Sequence, residues 1–165
     1  MKAVVDASAL LSLEYMGVLD DLLKIADIYT TESVNEELKD ITGFRDEKSG
    51  IAKKILLHVS DGKIKCIDAK GDKHSRNISL NHCFSLCLSA KIPVLLTEDA
   101  DAAFLLVRTA AQKGVKLRTS VSVLVELIKS GELNAQSSRK KLEDLMKKRS
   151  WEGGIIEVLA RRYME

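Results

Sequence analysis

Pro93-Val94-Leu95-Leu96-Thr97-Glu98-Asp99 is the stretch whose reading decides the fold. Val94 to Leu96 is continuously apolar, with none of the alternation of a strand that has one wet face. Such runs belong to strands buried on both sides, as in a parallel sheet covered by helices. The run stops at two acids, and helical spacing follows at once in Ala102, Ala103, Leu106, Val107 and Ala110, closed by Gly114. Upstream, Leu80, Cys83, Phe84, Cys87 and Leu88 form another helical stripe. A helix on each side of a buried strand is the repeating unit of an α/β protein.

The same alternation extends to both ends. Lys2-Ala3-Val4-Val5 reads as a first strand, followed by a helical pattern from Ala9, Leu10 and Leu13 that resumes beyond Gly17. Ile28 to Thr31 is a second strand, and Val34, Leu38 and Ile41 mark one face of the next helix. Ile51, Ile55, Leu56 and Val59 make a further helix, stopped near Asp61-Gly62, and Ile64 to Ile67 a third strand. Ala69 to Ile78 is polar and reads as a loop. Val115 to Leu117 is a short strand, with helices expected from Val121, Ser138 and Ile155. The expected fold is a three-layer α/β/α sandwich with a mainly parallel sheet over residues 1–130. Residues 131–165 are a C-terminal helical extension packed on the same domain.

Composition narrows the class. Of the 165 residues, 45% are hydrophobic and 30% charged, which excludes a disordered chain. No apolar run approaches the roughly 18 residues of a membrane span. The chain enters its first strand at Lys2 with no signal-peptide pattern. Three scattered cysteines make no disulfide framework, so a cytoplasmic setting is expected. A net charge of +2 is too small to imply a nucleic-acid partner by itself.

Acids mark the candidate site. In an open parallel sheet, ligands bind beyond the carboxyl ends of the strands, near the point where strand order reverses. Asp6 and Asp99 each follow a strand there. With Val34, Leu38 and Ile41 facing the core, Glu37 lies about 60° from that stripe and is expected to be half-buried, while Glu36 points away. Asp101 shares the loop of Asp99. Clustered carboxylates need a counter-charge, and a hard cation such as Mg²⁺ or Mn²⁺ supplies one. Ser8, two residues past Asp6, can orient a carboxylate or a water. The simpler reading is that Asp6 and Asp99 only cap the helices they precede.

Three phrases together resemble the PIN-domain family. Val4-Val5-Asp6-Ala7-Ser8 is similar to its opening hydrophobic-Asp-x-Ser/Thr motif, Val34 to Leu38 to its V-x-x-E-L helix, and Leu95-Leu96-Thr97-Glu98-Asp99 to its L-T-x-D strand end. The resemblance covers roughly residues 1 to 130, and the tail after Gly131 resembles other prokaryotic PIN proteins more than compact VapC toxins. It implies a metal-dependent ribonuclease, often dimeric and often the toxin of a toxin–antitoxin pair. It also implies Asp6, Glu37 and Asp99 as Mg²⁺ or Mn²⁺ ligands, with Asp101 beside them and Ser8, His82 and Thr97 behind them. One departure stands out. The family's further acid, in a phrase like L-S-x-x-D, is His82 in Ile78-Ser79-Leu80-Asn81-His82. Either Asp101 or Glu98 compensates, or the chain is a catalytically silent PIN-fold module that binds RNA or protein.

Other features carry less. Cys83 and Cys87 with His82 and His74 are a poor zinc set, because both cysteines sit on the apolar stripe. Arg139, Lys140, Lys147, Lys148 and Arg149, joined by Arg161 and Arg162, form a basic run able to meet RNA phosphates or simply to face solvent. Trp151 offers a base-stacking ring or a packing anchor. There is no Gly-rich dinucleotide loop, Walker motif or nucleophile elbow.

Overall fold

The computed structural model describes residues 1–70 and 77–150; the expected helix from Ile155, Trp151, His74, Arg161 and Arg162 lie outside them. Five strands form one all-parallel sheet: β1 (Lys2–Val5), β2 (Asp27–Thr31), β3 (Ile64–Ile67), β4 (Val94–Leu96) and β5 (Lys116–Arg118), in the order β3-β2-β1-β4-β5. The order reverses between β1 and β4, where Val4 pairs with Leu95 and Val5 with Leu96. The α/β/α expectation holds.

Each connection carries helix. Asp6 caps α1 (Ala7–Tyr15), which Gly17 ends by turning the chain at φ 62° into α2 (Leu19–Ile25). Helices α3 (Glu32–Ile41) and α4 (Glu47–Ser60) join β2 to β3. Helix α5 (Ile78–Ser89) leads into β4, and α6 (Ala100–Gln112) joins β4 to β5. Helices α7 (Ser120–Lys129) and α8 (Ala135–Lys148) follow. Helix α1 packs against α2, α4 and α7 in one layer, while α5 crosses β1, β2 and β4 and α6 lies along β5. Right-handed crossovers put those last two helices on the opposite face. Leu142 and Leu145 of α8 are buried in the same core as the sheet, so α8 has no core of its own.

Two details differ from the sequence reading. Helix α5 starts at Ile78, the last residue of the stretch read as loop, because the Asn77 side chain accepts the Leu80 N–H and caps it. On α6, Val107 is 48% exposed although its spacing marked it as core. The small Ala103 and Ala110 bring that helix down on Leu106 and leave Val107 to the side.

Leu95 sits on the strand between β1 and β5 and is fully buried. Truncating it leaves a cavity between the sheet and the helical layer its side chain faces. Leu95→Ala is expected to lower the unfolding free energy by about 3 kcal/mol, seen as a lower urea midpoint with an unchanged slope.

Candidate active site

The site is built around one buried carboxylate. Asp6 is 4% exposed, at the carboxyl end of β1 and at the start of α1. Its Oδ1 accepts the Ala9 N–H at 2.8 Å and the Ser8 hydroxyl at 2.8 Å, and its Oδ2 accepts the Thr97 hydroxyl at 2.5 Å. Both hydroxyls then accept in turn: Ser8 Oγ takes the Glu98 N–H at 3.0 Å and Thr97 Oγ1 the Asp99 N–H at 3.1 Å. A hydroxyl has one proton to give, and here both protons go to Asp6. The loop after β4 is thus tied to the end of β1. The capping reading of Asp6 is correct as far as it goes.

From Asp99 the network continues into α5. The Asn77 amide donates to Asp99 Oδ2 at 2.6 Å, while its own oxygen caps α5. Ser79 Oγ donates to Glu37 Oε2 at 2.9 Å and lies 3.2 Å from Asn77 Oδ1. Helices α3 and α5 run antiparallel here, since Glu37 meets Ser79 and Ser33 meets His82. Asp6, Asp99 and Glu37 therefore stand on one rim, linked through Thr97, Asn77 and Ser79. Glu37 is exposed rather than half-buried: it leans on the first turn of α5, and its far side meets water. Its charge nevertheless reaches Asp6.

Burial pushes the Asp6 carboxyl up to about 6, against the pull of its Thr97, Ala9 and Ser8 hydrogen bonds and with help from the Glu37 charge. Glu98 is also buried, and its Oε1 accepts the Ser120 N–H of α7 at 2.6 Å. Its Oε2 is buried with no hydrogen-bond partner among the described residues. Burial pushes this carboxyl up to about 7; the Ser120 N–H and the Arg149 charge lower it, and the Asp6 charge raises it. The rim holds two buried acids, Asp6 and Glu98, neither with a cation at hydrogen-bond distance among the described residues.

The remaining expected residues separate. Asp101 is exposed on the first turn of α6, outside the network. His82 faces α3, with Nδ1 3.1 Å from Ser33 Oγ and Nε2 buried without a partner among the described residues. It does not stand in for an acid on the rim. Cys83 and Cys87 are buried and keep their protons, since burial pushes Cys87 up to about 12 and Cys83 well above its usual range. On α8, Lys148 pairs with Glu47 and lies over the Tyr15 ring, and Arg139, Lys140 and Lys147 are exposed. Arg149 is half-buried, close enough for its charge to act on Glu98.

Among the described residues, no three His, Cys, Asp or Glu side chains stand close enough to hold one metal ion directly. The hydroxyls and the amide between the acids set that spacing. An all-oxygen rim with few direct ligands still fits Mg²⁺, which keeps several waters and takes only one or two carboxylates. The orphaned Glu98 oxygen and the raised Asp6 carboxyl point the same way, since both gain from a nearby cation. Sequence reasoning missed Asn77 and Ser79; the signal was an N-cap Asn immediately before an apolar-periodic stretch.

No known family model matches the chain, and no curated protein matches it. Among the described residues, no helix is long and apolar enough to cross a membrane.

Folding raises both buried carboxyls, so the native state binds more protons than the unfolded chain between the ordinary values, 3.8 and 4.5, and the raised ones, about 6 and about 7. Stability from these groups is complete below that window and is lost as pH rises through it. For Asp6 the loss is about 3 kcal/mol. Asp6→Asn removes the charge and keeps the acceptor for the Ala9 N–H, at the cost of the acceptor for the Thr97 hydroxyl. In EDTA it is expected to melt above the wild type at about pH 7.5 and to lose that advantage near pH 4, as measured by thermal unfolding of both proteins across the range.

Proposed function

We propose that the chain is a metal-dependent phosphodiesterase that cuts RNA, with Asp6, Glu37 and Asp99 as the residues that hold Mg²⁺ or Mn²⁺, in part through metal-bound water. The observation that carries this reading is the placement of Asp6 and Asp99. They leave the carboxyl ends of β1 and β4, the two strands between which the sheet order reverses, where open α/β sheets bind their ligands. Such a cation supplies positive charge against a phosphodiester and lowers the pKa of water.

The chain's own residues do the rest. Asp6 is the fixed point, its orientation set by three donors and one Oδ2 lone pair left over. Asn77 and Ser79 hold Asp99 and Glu37 toward the same opening. Arg139, Lys140 and Lys147 on α8 supply sequence-independent phosphate contacts. The PIN resemblance adds RNA as substrate, a homodimer, and an antitoxin protein as partner.

A second reading has its own support. The Asn77 amide and the Ser79 hydroxyl already donate to Asp99 and Glu37, and His82 turns to Ser33, so the rim's acceptors are satisfied in part without metal. That arrangement suits a silent PIN-fold module that binds RNA or protein.

Titrating Mn²⁺ into the protein by calorimetry, alongside a single-stranded RNA cleavage assay, separates the two. The nuclease reading expects Mn²⁺ binding and cleavage, both lost in Asp6→Asn. RNA binding unchanged by EDTA, with no Mn²⁺ bound and no cleavage, selects the silent module.

A further inference from the structure

Helix α6 carries the most exposed large apolar side chains among the described residues. Phe104 is 79% exposed and Leu105 75%, with Val107 beside them at 48%. The helix buries only its other side, through Ala110 and the half-buried Ala103 and Leu106. At about 100° per residue, Asp101 and Arg108 project along the centre of the outward face and Phe104 and Leu105 flank it. Adjacent exposed aromatic and aliphatic residues of this size mark an interaction surface.

The sequence of that face says what covers it. A two-fold axis between positions 104 and 105 lays the helix antiparallel on a second copy of itself. It pairs 104 with 105, 101 with 108 and 100 with 109. Phe104 then packs on Leu105 of the second copy, and Asp101 meets Arg108 of the second copy, each contact occurring twice. Within one helix Asp101 and Arg108 are two turns apart, about 10 Å along the axis, too far to pair. Neither makes an ion pair or a side-chain hydrogen bond among the described residues, and both are exposed. Charge and apolar pattern are self-complementary about the same axis. A face that served an unrelated partner would have no reason to show that symmetry.

We propose that α6 is the two-fold interface of a homodimer of this chain. The homodimer is already part of the function proposed above and the interface is what is added; none of its contacts involves Asp6, Glu37 or Asp99, so it stands or falls apart from the metal-dependent chemistry. It also takes Asp101 out of the acid cluster and makes it an interface charge. Since α6 begins at Ala100, the interface starts one residue after Asp99 in each copy.

The test is sedimentation velocity on the full chain. The wild type is expected to run as a dimer. Leu105→Glu buries a carboxylate against Phe104 of the second copy and is expected to weaken dimerisation about 100-fold. Asp101→Arg and Arg108→Asp each set like charges face to face and are expected to weaken it about 10-fold. The double variant D101R/R108D restores opposite charges and is expected to return to within about threefold of wild type. All of these positions are exposed, so circular dichroism should show unchanged folding. A monomeric wild type overturns the proposal, including one whose Leu105→Glu variant loses RNA affinity, which would assign the face to nucleic acid. A dimer indifferent to Leu105→Glu, or a double variant as weak as the single ones, overturns it equally.

Discussion

The buried Asp6 carboxylate, held by Ser8, Thr97 and the Ala9 N–H, is the interaction on which the rest of the rim depends. It spans the switch point of the sheet and fixes the loop after β4 to the end of β1. Without those two hydroxyls, the Glu98 and Asp99 N–H groups would lose their acceptors, and the direction in which the loop leaves β4 would be free. Once Asp99 is aimed, Asn77 follows, and with it the first turn of α5 and the side chain it presents to Glu37. Sheet topology sets where the rim lies; the hydroxyl pair sets its shape.

That arrangement is costly. A Ser or Asn at position 6 would accept the Ala9 N–H and cap α1 without placing a charge in the core. The chain instead keeps an acid whose pKa burial has pushed up to about 6, next to a second pushed up to about 7. Neither has a cation at hydrogen-bond distance among the described residues; Arg149 acts on Glu98 only through its charge. The hydrogen bonds these two acids accept offset only part of that cost, and strongly raised carboxyls of this kind cluster at functional sites. The continuous core of the sheet and its two helical layers absorbs the loss.

How much of this could be read beforehand follows from which interactions are local. The strands were legible because continuous or β-branched runs ending in acids depend on burial alone, and Asp6 and Asp99 follow from them directly. The start of α5 was not, since a polar run around Asn77 reads as loop until its cap and its bond to Asp99 are seen together. Glu37 illustrates the same limit from the other side. Periodicity placed it correctly beside the Val34–Leu38 stripe, but whether it is covered depends on how α5 approaches, which no helical spacing in α3 contains.

Helix α6 shows why an amphipathic pattern is ambiguous. Ala102, Ala103, Leu106, Val107 and Ala110 satisfy a single core stripe, yet Phe104 and Leu105 are larger than most of them and fall outside it. This helix contributes mainly alanines to its own core and turns its phenylalanine outward. The sheet takes the small residues, which allow close approach to β5, and the large ones stay exposed, which is what the proposed two-fold interface uses. The stripe that identifies α6 in the sequence is therefore its weaker face. Its stronger one becomes visible only when exposure is set beside the Asp101 and Arg108 spacing.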